Sequence, residues 1–299
     1  MPTFLLPLAS FGGVQLDQVK QNLLKRGHMD DATRSGKSSD VDISTYAWLD
    51  HDSLDFPGAH VRALELFRDS VVRTSLLAVD REIDDNTQSE DEGAVFFESD
   101  LAELHHATVQ GYLLTVQAMW ERGLRRLLVT REKQLCGAEC VGLLYKATWS
   151  KHAGTKGLQW HFERLLGLPM EAFDSYGDLD LLQNLGNAVR HGDGGSAKRV
   201  HELAPSLWWN WFPPGESYKA GPFEINIPTD WPKHPSFDKV TLSQAVLEQM
   251  IQSVLDFWED LENVRCNSFR RKHDSVERRL AAWPNERALR RSTRVWTPS

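Results

Sequence analysis

Leu182-Gln183-Asn184-Leu185-Gly186-Asn187-Ala188-Val189-Arg190-His191-Gly192-Asp193-Gly194 is an apolar, helix-competent run that closes on Asn, Arg and His and is broken at once by Gly-Asp-Gly. Asn187 and His191 stand four residues apart and so share one helix face, with Arg190 beside His191 at the carbonyl end. An amide, a cation and a proton-transferring imidazole therefore meet at one helix terminus, a constellation able to handle phosphate. A plainer reading uses the same residues. Arg190 and His191 then complement the negative end of the helix dipole, and Gly192 is the C-cap.

The chain around this stretch reads as helical. Pro57 suits a first helical turn, and Val61, Leu64, Phe67, Val71 and Leu76 predict a helix to about Val79. Residues 84–93 form an acidic loop. Ser99 then opens a long helix with Asp100 and Glu103 in its first turn, near the capping-box position. Leu101, Leu104, Thr108, Tyr112, Val116, Met119, Leu124 and Leu127 give that helix an apolar face to about Val129. Further helices are predicted over 137–148, 156–166, 176–190 and, briefly, 196–203. A last one begins at Thr241 or Ser243 and carries Val246, Met250, Val254, Phe257 and Leu261 on one face. Trp208, Trp209 and Trp211 lie before Pro213 and Pro214, where regular helix stops; this cluster reads as a core plug or a partner patch. Phe223–Ile227 alternates like one strand of a small hairpin. The fold class is thus mainly α, a helical bundle with a small hairpin or irregular insertion near 205–235. Its organisation is a loosely ordered arm over 1–45, a helical domain over 46–265 and a basic tail over 266–299.

Charge and composition narrow the function classes. The net charge of −8 argues against coating nucleic acid by bulk electrostatics. Between Asp80 and Glu103 ten acids face a single base, Arg81, whereas the last 35 residues carry ten bases and three acids. That tail suits three roles: binding RNA phosphates with Trp283 and Trp296 stacking on bases, docking on an acidic stretch of its own or a sister chain, or standing solvated. Cys136, Cys140 and Cys266 make no zinc pattern and read as reduced residues of a cytoplasmic protein. The short apolar start lacks a basic region and does not read as a signal peptide, and no apolar run approaches a membrane span. Gly192–Gly195 lacks the Lys-Ser/Thr of a P-loop. His105 and His106 are adjacent on one helix, which makes them poor joint metal ligands and predicts one buried and one exposed ring.

The order of an acidic loop, a long helix with an internal Glu, and an Asn-Arg-His helix closed by Gly-Asp-Gly resembles the HEPN superfamily of small helical bundles. Many of these are RNases or toxins of bacterial conflict systems. Asn187 to Ala197, followed by Leu203, Pro205 and Leu207, is most similar to a group of HEPN-like bacterial proteins; the likeness spans about residues 95–265 and is specific only near 180–207. Active HEPN RNases carry an Arg four to six residues before the His, often as Arg-Asn-x-x-x-His. Asn187 and His191 match the Asn and His of that pattern, but Gly186 occupies the Arg position. Arg190 supplies a cation from a different place. The resemblance also implies an acidic residue on an early helix facing the site. Glu121 fits, to orient His191 or pair with Arg190, while an ordinary ion pair with Arg125 is the alternative.

On this likeness the expected function is a metal-independent endoribonuclease, a toxin or phage-defence effector, without cofactor. His191 acts as general acid or base, Arg190 stabilises phosphorane-like charge, Asn187 positions, and the 5′ product ends in a 2′,3′-cyclic phosphate. HEPN sites are built across a homodimer, so one chain supplies half. Expected partners are RNA or a nucleotide, a second copy, and an antitoxin or defence-system protein, with no membrane. Two alternatives stand beside it: a catalytically silent module that binds a nucleotide, RNA or a protein, and a helical interaction scaffold that uses the aromatic cluster.

Overall fold

The computed structural model describes residues 42–48, 56–88, 94–137, 141–149 and 156–298. Most of the expected N-terminal arm, residues 89–93 of the expected acidic loop, and Cys140 lie outside the described residues. Within them the chain is mainly helical, with one small sheet.

Helix α1 (Pro57–Phe67) starts on a proline, whose missing N–H costs nothing in a first turn. A π turn over Arg68–Val72 leads directly into α2 (Arg73–Thr87). The helical run therefore passes the expected end at Val79 and takes in Asp84 and Asp85. Packing against the next helix supports it, with His105 of that helix 3.7 Å from Asp80. Helix α3 (Ala94–Cys136) has 43 residues, about 65 Å of rise. It begins ahead of Ser99, so Asp100 and Glu103 are interior helix positions rather than a capping turn. No Gly or Pro between Ala94 and Ser99 gives the helix a reason to stop there. His105 and His106 are both half-buried, not one buried and one exposed.

The core begins where α3 becomes apolar on one side. Val109, Leu113, Val116, Trp120, Leu124 and Leu127 recur every three or four residues and are buried. They meet α8 (Gln244–Asn267), whose Val246, Met250, Val254, Phe257 and Leu261 form the matching stripe. The Ser243 side chain caps α8 by accepting from the Val246 N–H at 3.4 Å. Trp120 lies edge-on to Phe257 at 4.6 Å and to Trp258 at 5.5 Å, and Phe173 lies 4.7 Å from Phe257. Short α4 (Gly142–Lys146) and α5 (Leu158–Leu166) close one side of this cluster. Helix α6 (Tyr176–His191) packs against both α3 and α8 through Leu179, Leu182 and Leu185, and α7 (Gly195–Leu203) folds back on α6.

The expected insertion is present. Strands β1 (Ser217–Ala220) and β2 (Phe223–Asn226) pair antiparallel, Ser217 opposite Asn226. Phe212 stacks on Tyr218 at 3.8 Å beside them. The aromatic cluster divides: Trp208 is a core plug whose Nε1 donates to the Ser236 carbonyl at 2.9 Å, while Trp209 is 73% exposed.

The C-terminal segment differs most from its sequence reading. Residues expected as a basic tail form α9 (Asp274–Ser292), packed against α8. Trp283 is 1% exposed and donates to Asp260 at 2.8 Å, so it does not offer a face to RNA bases. Its arginines dock on acids, though not on the acidic stretch over 80–103. No helix among the described residues is long and apolar enough to cross a membrane.

Candidate functional site at the end of helix α6

Helix α6 delivers Asn187, Arg190 and His191 to its last turn and a half, and Gly186 fixes how close that turn comes to α3. A Cβ at Gly186 would lie 2.9 Å from Cγ of Gln117, so the bare backbone is what lets the two helices meet. Gln117 is fully buried and heads a polar ladder. Its Oε1 accepts from the Arg190 guanidinium, and its Nε2 donates to Glu121 Oε2 at 3.0 Å. Gln183 Nε2 donates to the same oxygen at 3.2 Å.

Glu121 spends its other oxygen on Arg125, at 2.5 Å, four residues along α3. Arg125 in turn donates to the carbonyls of Leu144 and Ala147, at 2.5 and 3.1 Å, and so caps α4. Glu121 is therefore the ion-pair partner of Arg125, and reaches Arg190 only through Gln117. Of the four sequence-derived site residues, Arg190 and Glu121 join this ladder. The Asn187 side chain, half-buried, and the exposed imidazole of His191 make no hydrogen bond or ion pair with any described residue.

The Gly-Asp-Gly break then does two things. Gly192, at φ 68°, ends α6 as its C-cap, with its N–H on the Ala188 carbonyl at 2.7 Å. Asp193 turns away from the following helix and accepts from the Phe237 N–H at 2.6 Å and the Ser236 hydroxyl at 3.0 Å. The N-cap of α7 is Gly194, which has no side chain to cap it. A Cβ placed on Gly192, Gly194 or Gly195 would meet nothing within 4 Å, so the backbone of this loop lies open. One exposed imidazole and the uncapped, partially positive end of a helix thus flank the same two-glycine turn.

A larger cavity, about 340 Å³, lies at the other end of α6, about 24 Å away for a helix of 16 residues. It holds the docking of α9. Asp174 meets Arg287 and Arg291, each at 2.8 Å; Asp178 meets Arg294 at 2.7 Å; Asp260 meets Arg290 at 2.7 Å. Burial would raise the Asp174 pKa, but the Arg291 and Arg287 guanidiniums outweigh it and hold the carboxyl below its ordinary range. At Asp260 and Asp256 burial wins over Arg290 and pushes both carboxyls up. Sequence reasoning missed this cluster. Its signal was the spacing of Arg287, Arg290, Arg291 and Arg294, one helical face, against Asp256 and Asp260, four residues apart on another. Each of those arginines already has a carboxylate, so the cavity is a closed clasp that joins α9 to α6 and α8.

Among the described residues no group of three or more His, Cys, Asp or Glu is placed to hold a metal ion. Comparison with protein families, with curated proteins and with solved structures finds no match.

Proposed function

We propose that the chain is a HEPN-like module that binds a nucleotide at the junction of α6 and α7, with the phosphate on the open turn Gly194–Gly195. The observation that carries this is the uncapped start of α7. The N-cap residue of α7 is Gly194, which has no side chain, and the neighbouring Asp193 is bonded to Ser236 and Phe237, which leaves the first N–H groups of a nine-residue helix to an outside acceptor. His191, exposed and without a partner among the described residues, lies on the other side of this turn in the chain and offers a further hydrogen bond. Arg190 adds charge nearby while its guanidinium is steered by Gln117.

Charge favours a nucleotide over a long RNA. Residues 190–239 carry six Lys or Arg and six Asp or Glu, so no net positive field tracks a polyphosphate backbone. The Arg position argues in the same direction: it is held by Gly186, sealed against Gln117, so no cation stands at that position for phosphoryl-oxygen chemistry.

The test is calorimetric titration of the full chain with nucleoside monophosphates and with inorganic phosphate. Binding that weakens in His191→Ala, and in a Gly195→Pro variant that removes a helix-start N–H, is the expected result. Equal affinity in wild type and both variants sinks the reading.

The exposed imidazole of His191 beside Arg190 also favours a second reading, an endoribonuclease completed by a homodimer. That reading expects metal-independent cleavage abolished by His191→Ala, 2′,3′-cyclic phosphate ends, and His191 near a two-fold axis. RNA left intact by a dimeric preparation would exclude it.

A further inference from the structure

From the aromatic cleft beside this turn we infer a base-binding subsite: the cleft between residues 209–212 and 231–239 takes the ring of a nucleobase. The inference rests on the nucleotide reading above for its neighbour, the phosphate, but the cleft has its own evidence. It measures about 240 Å³ and is lined by Asn210, Trp211, Trp231, His234, Ser236 and Lys239. That is smaller than a site for a drug-sized ligand and suits a single ring system.

Three observations select the ligand. Trp231 is 50% exposed, a large flat apolar face that the fold leaves uncovered. A base stacks on such a face without regard to sequence. Two lining residues, Trp211 and His234, carry buried ring nitrogens, Nε1 and Nδ1, with no hydrogen-bond partner among the described residues. Buried polar atoms in that state are costly, and a heterocycle whose edge offers both donors and acceptors is the class of ligand whose chemistry complements them. Behind them His201 stands edge-on to Trp211 at 4.8 Å and to His234 at 5.8 Å. Burial, and then the His234 ring, lowers the His201 pKa below that of a free imidazole. Lys239 stands at the rim as the one cation among the lining residues.

The cleft is physically joined to the phosphate turn. Asp193, two residues from His191 and next to Gly194, accepts from Ser236 of the cleft wall at 3.0 Å. Two residues of chain span at most about 7 Å, so the His191 backbone lies within about that distance of the residue that holds the wall. The Asp193–Ser236 bond ties the cleft wall to the residue just before the uncapped start of α7. A nucleotide with its base on Trp231 and its phosphate on the turn uses both.

The experiment titrates wild type, Trp231→Ala, Trp231→Phe and His191→Ala with adenosine, uridine and their 5′-monophosphates. Trp231→Ala is expected to weaken all four by about tenfold or more, the loss of one base–aromatic stack, and Trp231→Phe to restore part of it. His191→Ala is expected to weaken the monophosphates and leave the nucleosides unchanged. Nucleosides bound equally by wild type and Trp231→Ala overturn the cleft, whatever the monophosphates do, and so does a wild type that binds neither nucleoside. Nucleosides and monophosphates bound equally by wild type, with Trp231→Ala still weaker, overturn the phosphate reading and keep the cleft.

Discussion

Gly186 stands where the HEPN pattern carries arginine, and Gln117 explains what replaces it. With no side chain on α6 at that point, Gln117 fills the gap, receives Arg190 and hands on to Glu121. Gly186→Ala is therefore expected to destabilise the fold by about 1–3 kcal/mol through overpacking, even though Ala is the better helix former. A chemical denaturation midpoint equal to or above wild type would show that Gln117 moves freely. Asp193 offers a second single-residue test. Asp193→Ala leaves the Phe237 N–H and Ser236 hydroxyl without their acceptor, at about 1–3 kcal/mol. Amide exchange over residues 231–240 should rise ahead of the rest of the chain, and protection unchanged there would refute the tether. Neither role was legible in the sequence: Asp193 read only as part of a helix-breaking triplet, because its donors are more than forty residues away.

Helices α6 and α8 were legible because each buries a continuous apolar stripe, and hydrophobic periodicity is the signal such a stripe leaves. Helix α9 was not, for a physical reason. Trp283 is its single buried residue, and most of its docking is charge pairing to acids of α8 and the loop before α6, with Arg294 just past its end pairing to Asp178 of α6. A run of arginines looks the same whether solvated or clasped until its partners are known. The Trp283 anchor can be tested directly. Trp283→Ala removes a buried indole and one of the hydrogen bonds to Asp260, an expected loss of about 3–5 kcal/mol. Trypsin should then cut first within α9, after Arg278 or Arg279, while the α3–α6–α8 core persists. A trypsin pattern identical to wild type would mean that the ion pairs alone hold the helix.

At the scale of the molecule, the buried titratable groups pull stability in opposite directions as pH falls. His161 is lowered from 6.5 to about 4, by burial first and then by the charges of Arg164 and Lys156. Because its folded pKa is the lower one, its contribution is present above 6.5 and is lost as pH falls towards about 4. Asp256, Glu259 and Asp260 are raised, chiefly by burial, so they favour the protonated fold. Their contribution is complete below the ordinary carboxylate range and disappears as pH rises through their folded values. Asp174 is lowered, so the clasp it makes with Arg287 and Arg291 is retained above the ordinary value of 3.8 and lost as pH falls through its folded pKa. The two sets are separable because His161 lies on α5 whereas the carboxylates belong to the docking of α9. Unfolding free energies measured from pH 7 to pH 3 should show His161→Gln losing less stability than wild type between 6.5 and about 4. Asp260→Asn should lack part of the carboxylate gain over the lower half of that range. Parallel pH curves for wild type and both variants would mean that neither group changes its proton affinity on folding.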